Sequence, residues 1–230
     1  MNIQGYQKLT LLDYPGKVAC TVFTGGCNLR CPFCHNGDLV SHPMGYPNAC
    51  DEVADYLARR RGLLDGVCVT GGEPLLQPDL KEFLKQLKAW GYPVKLDTNG
   101  TLPLRLREIL ETGLVDYVAM DIKSSPAGYS RAAGCEIDPA LPAQSAALLR
   151  ELQIPHEFRT TAVKGIHTVS DFEEIGKWLG GEDPYFIQGF VDSGKLLGGG
   201  CSAFDPEEMG ELLRAAKAYF PNAQLRGLSE

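Results

Sequence analysis

Short apolar runs alternate with amphipathic runs along almost the whole chain, and this alternation limits the possible folds more than any other feature. The apolar runs are rich in β-branched and aromatic side chains, which is typical of buried strands. They are Val18–Phe23, Val67–Thr70, Val94–Asp97, Val115–Met120, Phe158–Val163 and Tyr185–Phe190. Parallel strands need long crossover connections, usually helices, and a helical pattern follows each run. We therefore predict an α/β fold, a partial, parallel (β/α)6 barrel in a single domain spanning residues 1–230.

The helical segments carry local start signals. Asp205 with Glu208 forms a capping-box pattern around a proline at the first helical position, and Ser170 with Glu173 has the same spacing. We predict helices over about 51–61, 78–90, 103–111, 142–152, 170–179 and 205–219.

Polar groups follow five of the six predicted strands. Because parallel strands direct their carboxyl ends to one mouth of a barrel, where ligands bind, we expect these groups to lie together. They are the cysteine loop after the first strand, Gly71-Gly72-Glu73, Asp97-Thr98-Asn99-Gly100, Asp121-Ile122-Lys123 and Arg159-Thr160-Thr161.

The loop after the first strand contains Cys27, Cys31 and Cys34 in the spacing C-x3-C-x2-C. Thiolates are ligands for soft metal centres. A [4Fe–4S] cube normally takes four thiolates, so three would leave one iron open for a ligand. A structural zinc site that adds His35 is the alternative, although the adjacency of Cys34 and His35 is poor geometry for two ligands of one ion.

The remaining features narrow the class of protein. The other cysteines (Cys20, Cys50, Cys68, Cys135 and Cys201) are scattered and predict no second cluster. The formal net charge of -7 disfavours a nucleic-acid partner. No apolar stretch is long enough to span a membrane, and the first residues lack a secretory pattern, so we expect a cytoplasmic protein.

The cysteine loop resembles the signature of the radical S-adenosylmethionine (radical SAM) superfamily, with its cysteine spacing and an aromatic residue, Phe33, before the last cysteine. Gly71-Gly72-Glu73-Pro74 resembles the family's GGEP turn, which binds the SAM ammonium. Glycines there would let backbone carbonyls approach a cation closely. The resemblance implies a [4Fe–4S] cluster on the three cysteines, SAM bound to its open iron, and the same partial barrel.

Two further motifs, LDTNG at 96–100 and MDIK at 120–123, resemble the glycyl-radical-enzyme activases of this superfamily. That resemblance implies that Asp97 contacts the SAM ammonium. It also implies that Asp121 and Lys123 contact the ribose and carboxylate of SAM.

Residues 5–36 and 157–168 are similar to the longer anaerobic ribonucleoside-triphosphate reductase activating proteins, and the resemblance extends over nearly the whole chain. It implies that Arg159 contacts the SAM carboxylate and that Val163 packs near the adenine. Related activases carry a ribose-contacting histidine near the sixth strand. The run YFIQGF lacks it, and Gln188 is the candidate replacement.

The function implied is reductive cleavage of SAM at the cluster to generate a glycyl radical on a partner enzyme, anaerobic ribonucleotide reductase. Flavodoxin or ferredoxin would donate the electron, and no side chain serves as a catalytic acid or base. Three alternatives stay open: an activase of another glycyl radical enzyme, a radical SAM enzyme acting on a small molecule, and a zinc-stabilised adaptor.

Overall fold

The computed structural model describes residues 1–41, 49–192, 194 and 196–227. Within these residues, eight strands form one sheet, in which they lie side by side in sequence order. They are β1 (Ile3–Thr10), β2 (Ala19–Thr24), β3 (Gly66–Gly71), β4 (Val94–Thr98), β5 (Tyr117–Asp121), β6 (His156–Ala162), β7 (Tyr185–Gly189) and β8 (Ala223–Arg226). β1 is antiparallel to β2, and the later neighbours pair in parallel.

The six predicted strands are β2 to β7, so the α/β fold and its parallel core are confirmed. The two strands at the edges of the sheet, β1 and β8, were not predicted. β1 has mostly half-buried or exposed side chains, and β8 has only four residues. Edge strands of this kind contribute little to the core, so the hydrophobic pattern that reveals a buried strand is weak in them.

The helices are α1 (Gly37–Ser41), α2 (Ala49–Arg59), α3 (Leu80–Ala89), α4 (Pro103–Leu110), α5 (Tyr129–Ala133), α6 (Ala140–Glu151), α7 (Val169–Leu179) and α8 (Pro206–Lys217). Six were predicted, and the two five-residue helices α1 and α5 were not. None of the described helices is both long enough and apolar enough to cross a membrane.

The two predicted capping boxes had different outcomes. The box of α8 is confirmed, because the Asp205 and Glu208 side chains each accept a hydrogen bond from the other's backbone N–H at 2.9 Å. The box predicted at Ser170 is wrong, because α7 begins earlier. Thr168 precedes that helix, and its backbone N–H and hydroxyl donate to the Asp171 carboxylate at 2.9 and 2.8 Å.

The strand order never reverses, so right-handed crossovers place the helices on one face and the sheet curls around its other face. Successive side chains alternate between these two faces. The outward set is mostly apolar and buried, as with Val67, Val69, Leu96, Val118 and Phe158. The inward set has more polar side chains and includes Lys95 and Glu157, each only 1% exposed. The curl therefore creates a polar interior where a ligand can bind.

Candidate functional site

A cavity of about 390 Å³ opens into this interior at the carboxyl ends of the parallel strands. Ten of the twelve residues predicted for the site line it: Cys27, Cys31, Phe33, Cys34, Gly71, Gly72, Asp97, Asp121, Lys123 and Arg159. They come from five strand ends that are far apart in sequence. The structure thus brings together residues that the sequence only suggested were neighbours.

Backbone hydrogen bonds hold the cysteine loop against three other parts of the chain. The N–H of Gly26 donates to the carbonyl of Leu39, and that of Arg30 donates to Ala133, both at 2.8 Å. The Pro32 carbonyl accepts from the N–H of Gly198 at 2.9 Å. The loop is therefore fixed by the surrounding fold before any ligand binds.

Burial controls the ionisation of two thiols in this loop, those of Cys27 and Cys31. Desolvation raises the pKa of Cys27, and it raises the pKa of Cys31 to about 11. The positive charge of Lys123 opposes both shifts. Because metal ligation needs thiolates, we expect a bound metal centre to displace these protons.

The arrangement of the cysteines distinguishes between the two metal sites considered. Among the described residues, no three histidine, cysteine, aspartate or glutamate side chains are grouped closely enough to hold a single metal ion. A tetrahedral zinc ion needs such a group, whereas a [4Fe–4S] cube takes each thiolate on a different iron. The three cysteines line one cavity without forming such a group, so the described geometry favours the cube over the zinc site.

The turn after β3 lies directly against the start of the cysteine loop. The N–H of Gly72 donates to the carbonyl of Thr24, and the N–H of Glu73 donates to that of Gly26, both at 2.8 Å. A Cβ on Gly72 would lie 1.9 Å from the Gly26 carbonyl oxygen. Glycine is therefore required here by packing of one strand end on the next.

Glu73 and Val163 are the two predicted site residues that do not line the cavity. The Glu73 carboxylate is fully buried and accepts hydrogen bonds from the N–H of Leu75 (3.1 Å), the hydroxyl of Thr98 (3.0 Å) and the N–H of Asn99 (2.7 Å). Burial raises the pKa of Glu73 to about 7, although these donors oppose the shift. Val163 is also fully buried. Their contacts with SAM stay predictions, and the backbone N–H and carbonyl of Glu73 are already bonded to Gly26 and Leu76.

A row of ion pairs crosses the cavity. Arg159 joins two carboxylates, with its Nε 2.9 Å from Asp121 and both terminal nitrogens 3.2 Å from Asp97. Lys123 donates to the other oxygen of Asp121 at 3.0 Å. The buried Lys95 donates to the other oxygen of Asp97. Each carboxylate is therefore held between two cations.

These pairs keep Asp97, Asp121, Lys123 and Arg159 charged despite burial. Desolvation opposes the charged forms, but the opposite charges outweigh it. The pKa values of Asp97 and Asp121 are lowered, and those of Lys123 and Arg159 are raised. Three cations face two carboxylates in this row, which favours an anionic group on the ligand. A ligand ammonium at Asp97 would share that carboxylate with Lys95 and Arg159.

Other residues line the cavity besides the predicted cluster ligands and SAM contacts. Thr161 belongs to the strand-end group Arg159-Thr160-Thr161, which was expected at the barrel mouth, and it lines the cavity. Gln188 pairs in register with Thr161 and lines the cavity, and its contact with a ribose stays a prediction. Asp13 reaches the cavity from the connection between β1 and β2, which the sequence did not reveal because β1 was missed.

Comparison with known proteins identifies the family that the cysteine loop resembles. A family model described as the radical SAM superfamily matches residues 21–179. A Methanocaldococcus jannaschii protein, named as a candidate glycyl-radical enzyme activating enzyme, is 31% identical over 246 residues, covering 99% of this chain and 96% of that protein. A pyruvate formate-lyase-activating enzyme of Clostridium pasteurianum is 36% identical over 127 residues, covering 53% of this chain and 52% of that enzyme.

Similarity to solved structures supports the fold only. Streptococcus suis SuiB bound to its precursor peptide SuiA superimposes with a TM-score of 0.71 at 15% identity, covering 90% of this chain and 48% of SuiB.

Proposed function

This chain belongs to the radical SAM superfamily and, within it, to the glycyl-radical enzyme activating enzymes, and we propose that its partner is anaerobic ribonucleotide reductase. The observation that carries an activase function is the meeting of the three-cysteine loop and the row of ion pairs in one cavity. The choice of reductase rests on the resemblance of residues 5–36 and 157–168. A cytoplasmic location and flavodoxin or ferredoxin as electron donor belong to the same proposal.

Enzymes of this family use a [4Fe–4S] cluster and SAM. When bound, the two supply a one-electron reductive cleavage of SAM that starts hydrogen-atom abstraction from a glycine of the partner. The protein's part is to bind, orient and exclude water.

The cavity residues divide this work by their chemistry. Cys27, Cys31 and Cys34 are the thiolate ligands, and their number leaves one coordination position for SAM. Lys123 and Arg159 supply cationic hydrogen bonds suited to a carboxylate. These assignments require no proton transfer from a side chain.

The partner is tested by measuring glycyl radical yield by electron paramagnetic resonance. Anaerobically reconstituted protein, SAM and dithionite are mixed with anaerobic ribonucleotide reductase or, in parallel, with pyruvate formate-lyase. We expect a doublet signal from the reductase. Cys31→Ser is the matched control and should give none.

A signal from pyruvate formate-lyase without one from the reductase would reject the reductase and retain an activase. Hydrogen transfer from a small molecule, with no radical on either protein, would favour the small-molecule alternative instead.

A further inference from the structure

Hydrogen bonds hold the side-chain amide of Asn99 beside the sulfur of Cys27. Its Oδ1 accepts from the backbone N–H of Thr101 at 3.0 Å and from the Thr101 hydroxyl at 2.6 Å. Its Nδ2 donates to Asn28 Oδ1 at 2.9 Å and to Cys27 Sγ at 3.9 Å. A backbone N–H can only donate, so Oδ1 must face Thr101 and the NH₂ group must face the sulfur.

A closed ring of hydrogen bonds fixes this orientation. Asn28 Nδ2 donates to the hydroxyl of Thr101 at 2.7 Å, which links the two neighbours of Asn99. Asn99 is only 6% exposed, so water competes little for its amide. A donor held in this way loses little conformational entropy when it meets a thiolate.

The backbone of Asn99 is fixed from the other side by Glu73. The Asn99 N–H donates to the buried Glu73 carboxylate at 2.7 Å. Glu73 follows the turn that packs on Gly26, the residue before Cys27. The carboxylate therefore connects the turn after β3, the end of β4 and the cysteine loop without lining the cavity.

We propose that Asn99 is a positioning residue that raises the reduction potential of the cluster by donating a hydrogen bond to Cys27 Sγ, and that Glu73 acts through it. Reduction adds negative charge to the cluster and its thiolates. Donors to a ligating sulfur stabilise that charge, and they are among the factors that set iron–sulfur potentials. The N–H of Leu29 donates to the same sulfur at 3.4 Å. Cys27 is thus a ligand whose negative charge is shared with two protein donors.

This inference rests on membership of the family and not on the choice of partner. Its test measures the midpoint potential by titration monitored by electron paramagnetic resonance, without any partner protein. The titration can therefore fail while the reductase proposal stands, and the reverse also holds.

The variants are Asn99→Ala, which removes the donor, and Asn99→Asp, which keeps the shape and puts a carboxylate beside the sulfur. We expect Asn99→Ala to lower the equilibrium constant for cluster reduction by up to about tenfold, or about 59 mV for a one-electron couple. Asn99→Asp should shift the potential further in the same direction. Asn222→Ala is the matched control, because that amide donates to the Glu182 carbonyl on an exposed turn, and its potential should equal that of the wild type.

Iron content is measured for each variant before the titration. Potentials unchanged in both Asn99 variants at full iron content would overturn the proposal. If Asn99→Ala loses iron, Asn99→Asp decides by the same titration. If both lose iron, Glu73→Gln decides, because it weakens the backbone anchor of Asn99 without removing the Asn99 side chain, and an unchanged potential there overturns the proposal.

Discussion

At the scale of single residues, Lys123 interacts both with the carboxylates and with the cysteines of the cavity. Its ammonium donates to Asp121 at 3.0 Å, and its charge lowers the pKa of the Cys27 and Cys31 thiols against the larger effect of burial. Its own pKa is raised, because the attraction of Asp121 and Cys31 outweighs desolvation. Lys123 therefore stays protonated near neutral pH and is available to a carboxylate.

We predict that Lys123→Ala weakens SAM binding by about 1–3 kcal/mol, because a charge-assisted hydrogen bond is lost. Iron content should be unchanged. Anaerobic isothermal titration calorimetry on reconstituted protein measures the effect. Lys177→Ala is the matched control, because that lysine is half-exposed and pairs with Glu174 on α7. SAM affinity equal to that of the wild type would remove Lys123 from the binding site.

At the scale of secondary-structure elements, the site depends on how closely the end of β3 approaches the end of β2. Gly71 has φ of +118°, a conformation that favours glycine, and Gly72 leaves no space for a Cβ. The obstacle at Gly72 is the Gly26 carbonyl, which is backbone and cannot rotate away as a side chain could. Two successive glycines thus allow the GGEP turn to pack on the cysteine loop.

We predict that Gly72→Ala lowers the free energy of unfolding by about 1–3 kcal/mol, the usual cost of overpacking, and also lowers the iron content. The second effect follows because the displaced Gly26 precedes the first cysteine ligand. Urea denaturation and iron analysis measure the two effects.

Gly5→Ala is the control for this substitution. Gly5 lies in β1, and a Cβ there would meet no atom within 4 Å. Equal stability and iron content in the two variants would contradict the packing argument.

At the scale of the whole molecule, the stability of the fold depends on buried carboxylates in the barrel. The pKa values of these carboxylates are shifted in opposite directions. Attraction to their partners outweighs burial for Asp97 and Asp121, so their pKa values are lowered. Their contribution to stability is present above their ordinary pKa and is lost only as the pH falls towards the lowered values. Burial raises the pKa of Glu73 to about 7. As the pH falls, Glu73 is therefore protonated in the folded protein before Asp97 and Asp121 are.

We predict that Glu73 makes the metal-free protein less stable as the pH rises from about 4.5 to about 7. In that range the folded state binds more protons than the unfolded state, so stability falls with pH, by at most about 3 kcal/mol. Glu73→Gln removes this contribution. Urea denaturation of both proteins at pH 5 and pH 7.5 measures it, and parallel pH profiles would contradict the raised pKa.

Local patterns in the sequence were sufficient for the elements of the core and for most of the site residues. Apolar runs identified β2 to β7 because a buried strand needs apolar side chains whatever surrounds it. The cysteine spacing was visible because three clustered cysteines are unusual for a loop, and the strand-end polar groups were visible because they follow five of the six predicted strands. Thr168 and Ser170 both had the spacing of a capping box, and only the position of α7 decided between them.

What the sequence determined by itself was therefore the identity of the groups and the order of the strands that carry them. The tertiary structure alone decided which groups face one another. Arg159 meets Asp121 because these residues pair in register between β5 and β6, and it reaches across β5 to Asp97, while Glu73 turns away from the cavity to bind Asn99. The physical reason is that distances between strand ends depend on the twist and packing of the whole sheet, to which every strand contributes and which no local pattern records.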